Sequence, residues 1–316
     1  MFDLIKNIAV ICGLGAAIVT SAKADELGPT LQKIKDSGSI TIGHRDTAIP
    51  VSYLNAEQKP VGFALDLCAL IAEKVKQRLD LPELKSAYRL ATPQNSVSML
   101  GEGAIDIDCA ATPNTPDLQQ QAGFSAPIYA SELRWLAPRN MRTEIDWFHR
   151  RDVRIVTSGQ DLRWKTVVLI QGSPAIPIVL SLSNDRTLGL SILEAKDSAS
   201  AFKLLEARQA WAFMDDDLVL IGLKASARNQ DTYIFLEDEY AGNIYSFLLR
   251  KGDQAFKSLV DGALSEAMSS GEFAKIYSKW FESPIPAKNI NLAYPMTRAM
   301  KQLVKDPRAR SASYQN

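Results

Sequence analysis

Ala104-Ile105-Asp106-Ile107-Asp108-Cys109-Ala110 alternates Ile105, Ile107 and Cys109 with Asp106 and Asp108, the period-two pattern of a β-strand. Upstream, Asn95 to Leu100 reads as a helix ending at Gly101, and Ala87 to Leu90 as another strand. Phe63, Leu67, Leu70, Ile71, Val75 and Leu79 recur at helical spacing across Val61 to Leu79. Ser39 to His44 is the first strand, preceded by a helical stretch from Thr30 to Asp36 that Gly38 closes. The βαβαβ order argues for an open α/β sheet with helices on both faces.

A second set follows. Asp152 to Thr157, Thr166 to Ile170, Ser191 to Glu194 and Ala210 to Met214 are strand-like. Ala175 to Leu182 (with Pro177 confined to its first turn), Ser198 to Ala207 and Asp217 to Lys224 are helical. Tyr233 to Leu236 and Gly242 to Arg250 read as two further strands, and helices close the chain around Gln254–Met268 and Glu272–Phe281. Phe124 to Tyr129 and Glu237 to Ala241 are natural crossing points. The expected organisation is two lobes joined by two strands, 25–128 plus 239–316 and 129–238, with a disordered tail after Asp306.

The chain has 316 residues, 46% of them apolar and 23% charged, enough for two soluble domains. Lys+Arg and Asp+Glu both count 36, which argues against a nucleic-acid surface or a polybasic membrane patch. The N-terminus has the parts of a secretory signal: Lys6, the apolar run Ile8 to Val19, and Ala22-Lys23-Ala24 as a cleavage site. That run is shorter than the ~20 residues a membrane span needs. The expectation is a cleaved signal over 1–24 and a mature chain from Asp25. Cys68 and Cys109 then remain, either as a disulfide or as two buried thiols.

Several blocks carry a family resemblance. They are Ser39 to Arg45, Pro50-Val51-Ser52-Tyr53, Val61-Gly62-Phe63 with Asp66, Gln94-Asn95, and Ile105 to Cys109. Phe124-Ser125, Ala195-Lys196-Asp197, Leu205-Glu206, Ala212-Phe213-Met214 and Asp216-Asp217 continue the series. The stretch Gly271 to Phe281, then Pro284-Ile285-Pro286, ends it. In this order they resemble the periplasmic solute-binding proteins that feed polar amino acids to ABC importers, nearest the glutamate/aspartate-binding branch. The resemblance implies a two-lobe periplasmic-binding-protein fold (type II), two open sheets joined by hinge strands. It further implies a small polar solute (an amino acid or related acid), ABC permease subunits in the inner membrane as partners, a periplasmic location, a monomer and no cofactor.

By the same resemblance, Arg45 would hold a solute carboxylate and Asp216 its ammonium group. Ser96, Thr112, Asn114, Gln171, Ser173 and Ser198 are the polar candidates to complete the pocket. Several positions depart from the branch, among them Ala111 and Pro113 in place of hydroxyl residues and the turn Ile170 to Pro174 in place of a Thr/Ser-rich one. Leu118 stands where the α-carboxylate arginine is expected, Ser96 replaces another arginine, and Ser198 replaces a histidine. Removing one partner of a buried charge pair costs ~2–5 kcal/mol, on the order of 30- to 4,000-fold in affinity. Arg134 is either a substitute cation or a structural arginine. Binding of L-glutamate or L-aspartate in the relatives' manner is therefore not expected. Two alternatives are an enzyme on the same scaffold, similar to cyclohexadienyl dehydratase, and a sensory binding protein. The residues offer no nucleophile–base pair or metal-ligand cluster, and strand alternation turns His44 away from the side of Arg45.

Overall fold

The computed structural model describes residues 27–147, 150–184, 188–285 and 290–306. The expected signal segment, the tail beyond Asp306 and residues 286–289 lie outside the described residues. Helix α1 (Pro29–Ser37) precedes strand β1 (Ser39–His44). A small antiparallel sheet of β2 (Thr47–Ala48), β3 (Ser52–Leu54) and β4 (Pro60–Val61) leads into α2 (Phe63–Leu79). Then come β5 (Lys85–Leu90), α3 (Ser96–Glu102), β6 (Ile107–Pro113) and the single turn α4 (Pro116–Gln119). The long strand β7 (Gly123–Pro138) crosses the molecule, followed by a hairpin of β8 (Arg142–Trp147) and β9 (Arg150–Ile155). Next are β10 (Thr166–Ile170), α5 (Ala175–Asn184), β11 (Ser191–Ala195), α6 (Ser198–Glu206), β12 (Ala212–Asp216) and α7 (Asp217–Ser226). Strand β13 (Tyr233–Leu249) returns, and α8 (Gln254–Ser270), α9 (Glu272–Tyr277) and α10 (Arg298–Lys305) end the described chain.

The main sheet runs β11-β10-β12-β7-β13-β6-β1-β5. β1, β5 and β6 are parallel to one another, as are β10, β11 and β12. Between these open sets, β7 and β13 pair antiparallel from Tyr233↔Pro138 to Leu249↔Gly123. The fold is thus the expected α/β type II arrangement, with both open sheets sharing the two hinge strands. One boundary differs. Tyr233 to Leu236 and Gly242 to Arg250 read as separate strands because Glu237-Asp238-Glu239 is polar, yet β13 is continuous. Its ladder with β7 passes this stretch through register shifts instead of breaking. β6 also begins three residues after the expected Ala104. Ala104 and Ile105 still donate to Met99 O, closing α3 through left-handed Gly103.

The ending Gly271 to Phe281 owes its place to α2. Phe63 meets Phe273 and Phe281 edge-on at 5.6 and 5.3 Å, and Asp66 accepts a 2.7 Å hydrogen bond from Trp280 Nε1. The pairing of the cysteines, left open by sequence, resolves as a Cys68–Cys109 disulfide that ties α2 to β6. Leu218, Ile221 and Ala225 of α7 pack into the core of the β1-side half, although α7 follows a strand of the β10-side half. The two halves therefore meet through this helix.

Candidate functional site

Arg45 sits just beyond the carboxyl end of β1, the edge where open α/β sheets bind ligands. Its guanidinium is not free. Nη1 donates to Asp108 Oδ1 at 2.8 Å and Nη2 to Asp108 Oδ2 at 2.7 Å, a bidentate pair. Nη1 also reaches Ala91 O at 3.1 Å. Asp108 lies opposite Gly43 in the β1–β6 ladder and has no exposed surface. A Cβ at Gly43 would stand 3.2 Å from Asp108 Oδ1, so glycine there leaves room for the carboxylate. Burial raises the Asp108 carboxyl above its ordinary range, while hydrogen bonds from Arg45 and Ser96 and the charge of Arg45 pull it down. Ser96, expected to touch solute, is itself buried beside Asp108.

A cavity of about 460 Å³ opens beside this pair. On the β1 side it is walled by Arg45, Ile49, Val51, Ala110 and Ala111. Leu218, Val219 and Leu223 of α7 face them, with Tyr245 of β13. Gly222 brings α7 close: a Cβ there would lie 2.6 Å from Ile49 O. Among the described residues lining the cavity, Arg45 is the one cation, and it is paired. A larger groove of about 710 Å³ lies between α1, α2 and α8, away from the strand ends. The smaller cavity is the better candidate because it joins both halves at the carboxyl end of β1.

Asp216 ends β12 and is also buried. Ser131 Oγ and Asn243 N donate to its Oδ1; Asn243 Nδ2 and Tyr245 OH donate to its Oδ2. Four donors match the roughly four acceptor sites of a carboxylate. The cradle arises from a bulge, since Gly242 and Asn243 together oppose Ser131 between the pairs Ala241↔Glu132 and Ile244↔Ala130. Such a bulge re-aims the strand, here turning Asn243 onto Asp216. Gly242 must stay bare, because a Cβ would fall 2.7 Å from Asp216 Oδ1. The neighbouring acids are buried too. Asp215 accepts from Ser198 Oγ at 3.0 Å, and Asp217 from Tyr294 OH at 2.8 Å and Tyr129 OH at 3.2 Å. Burial pushes both carboxyls up to about 7, with the adjacent Asp216 charge adding to it. Burial likewise drives the Tyr245 phenol well above its ordinary value.

Of the expected pocket residues, Arg45 lines the cavity. Ser198 donates to the buried Asp215, Ser96 is buried, and Asp216 anchors the hinge strands. Thr112 stands opposite Ser246 in the β6–β13 ladder. Asn114 accepts from Gln119 Nε2, Gln171 N donates to Ala195 O, and Ser173 Oγ accepts from Ala175 N. Leu118 packs beside the cluster of Ala91, Leu100 and Phe124. Arg134 does not replace the missing cation: it pairs with Glu239, donates to Leu236 O at 2.7 Å and lies over Phe235. Sequence reasoning missed Asp108, Tyr245 and the α7 face. A signal for Asp108 was present, since acids alternating along a central strand of a sheet covered on both faces must find buried partners.

The pattern of the bacterial extracellular solute-binding proteins, family 3, matches residues 40–283. The chain is 38% identical over 311 residues to an L-glutamate/L-aspartate-binding protein of Pseudomonas aeruginosa, covering 98% of this chain and 97% of that protein. It is 33% identical to a glutamate/aspartate import solute-binding protein of Escherichia coli, covering 90% and 92%. Among solved structures it is similar to the second substrate-binding domain of Lactococcus lactis GlnP in its open conformation. There the TM-score is 0.61 at 19% identity, covering 78% of this chain and 96% of that one.

Proposed function

The chain belongs to the bacterial extracellular solute-binding proteins, family 3, and from that premise we propose that it captures an amino acid or related polar solute in a pocket altered from that of its glutamate/aspartate-binding relatives. It is a binding protein of the amino-acid type serving an ABC importer, outside the cytoplasm, as its relatives' names and family indicate. Those relatives are binding proteins and not enzymes, which favours capture over catalysis. The reading takes 25–128 plus 239–316 as one lobe and 129–238 as the other, closing about β7 and β13 on the cavity beneath α7. A cleaved signal over 1–24, monomeric capture and delivery to permease subunits belong to the same reading.

The observation that carries the solute class is the Arg45–Asp108 pair. An acidic amino acid needs a cation for each carboxylate. Arg45 is already neutralised, Leu118 is apolar, and Ser96 and Ser198 are uncharged and engaged. Asp216 has its acceptor sites filled from within the protein, so an ammonium group gains little there. What remains is a largely apolar cavity with Arg45, Asp46, Thr47, Thr92 and Ser226 in its lining, suited to an amino acid or related solute without the second carboxylate of glutamate or aspartate. Calorimetry of the mature protein with L-glutamate and L-aspartate is expected to show no binding, and native mass spectrometry to reveal a co-purifying amino acid or related solute other than these two. Micromolar or tighter binding of either amino acid overturns the reading.

A further inference from the structure

We propose that Tyr294 is a positioning residue: the C-terminal segment 290–305 straps the two halves together and, through this tyrosine, holds α7 over the cavity. The segment lies beyond residues 40–283, the stretch that carries the family pattern. It is rooted in the β1-side half. Leu292, Tyr294, Met300 and Leu303 are buried in that core, Asn291 bridges to Pro284, and Tyr294 N donates to Phe281 O at 2.8 Å. From this root it reaches the other half. Asn291 O accepts from Gln230 Nε2 at 3.1 Å, the Tyr294 ring meets Phe235 at 5.3 Å, and Tyr294 OH donates to Asp217 Oδ2 at 2.8 Å. Asp217 is the first residue of α7 and has no exposed surface. Leu218, Val219 and Leu223, which follow it on the same helix, wall the cavity. The segment also grips β7, where Ala130 N donates to Met300 Sδ at 3.1 Å. The inference rests on the proposed closure about β7 and β13. Two strands that bend leave the halves free to swing. A strap tied to both sides adds bonds that are satisfied only while α7 meets the β1-side half. A bond made in one arrangement and lost in the other biases their ratio by its net worth, about 3- to 10-fold for one hydrogen bond.

A tyrosine that merely fills the core would affect stability and leave the spacing of the halves alone. The test therefore measures that spacing in the mature protein without solute. Spin labels on Glu83→Cys and Lys203→Cys, exposed positions on opposite halves, report it by electron–electron double resonance, alongside thermal melts. Tyr294→Phe keeps the ring and its packing but loses the bond to Asp217. It is expected to shift weight to longer distances, lowering the closed-to-open ratio about 3- to 10-fold. Asp217→Asn, whose amide oxygen still accepts from Tyr294, should keep the wild-type distribution. Gln230→Ala, at the strap's outer contact, should shift it in the same direction as Tyr294→Phe. Folded Tyr294→Phe with wild-type distances overturns the proposal, whether or not its melting temperature falls. An equal shift in Asp217→Asn also overturns it, because the charge and not the tyrosine would then set the spacing. If Tyr294→Phe does not fold, Gln230→Ala decides alone, and a distribution identical to wild type overturns the strap. Tight L-glutamate binding by wild type overturns the functional reading and leaves this one standing, since the labels report the halves without solute.

Discussion

Replacing Gly222 by alanine should separate fold stability from lobe closure. Gly222 lies inside α7, and its missing Cβ would stand 2.6 Å from Ile49 O across the cavity mouth. Ordinary contact begins near 3.4 Å, so the helix or the turn must retreat by about 0.8 Å. The turn is poorly placed to yield, because Ile49 N is bonded to Thr47 O and Val51 N to Ala48 O. Overpacking of this kind costs about 1–3 kcal/mol, charged only to the arrangement in which α7 meets the β1-side half. The same change stabilises a helix interior by about 1 kcal/mol in every arrangement. Gly222→Ala should therefore shift the closed-to-open ratio of the free protein about 5- to 150-fold towards open, while the helix gain and the clash largely offset one another in its melting temperature. Scattering in solution would register a larger radius of gyration, and calorimetry the melting temperature. A variant that melts higher yet scatters like wild type would refute the reasoning, since α7 would then not be held against Ile49.

Asp216→Asn removes a charge that accepts four hydrogen bonds and turns an amide nitrogen towards donors; urea unfolding should show a loss of about 2 kcal/mol or more. Unchanged stability with lost solute binding would instead make Asp216 a solute contact. Asp215 and Asp217 hold their protons to about 7 when folded, against about 3.8 unfolded. Their contribution to stability is thus full below about pH 4 and is lost as pH rises through 7, with a slope near 1.4 kcal/mol per unit for each group. Asp217→Asn should flatten the decline between pH 4 and 7, and an unchanged slope in urea titrations would count against buried protonation. Reducing the Cys68–Cys109 bond, which closes a loop with a sequence separation of 41, should lower unfolding free energy by about 4 kcal/mol.

The frame was legible because it is written in local periodicities. β1 and β10 begin and end as their patterns indicate, and α2 follows the spacing of Phe63 to Leu79 closely. Leu118, an apolar residue, packs against the cluster of Ala91, Leu100 and Phe124. What stayed hidden depends on pairing across the sheet. Asp108 and Arg45 are 63 positions apart in sequence, and neither residue alone indicates that the other fills its hydrogen-bonding capacity. Asp216 has the look of a free acid in a charged run until the Gly242–Asn243 bulge turns donors onto it. Ser96 and Ser198 are polar candidates for the pocket by sequence, yet Ser198 donates to the buried Asp215 and Ser96 is itself buried beside Asp108.

The shared ladder of β7 and β13 acts as a reading frame for the molecule. Side chains on a strand alternate faces, so one residue inserted into either strand would invert all that follow it. The bulges on β13 near Glu237 and Asn243 and the opposite shifts on β7 near Pro127 and Ser125 already spend extra residues on both strands. Each half's inward faces are consequently phased by where those extras fall. Exchanges of side chain at the strand ends leave that phase alone. A change in length does not, and it would scramble the cavity in both halves at once.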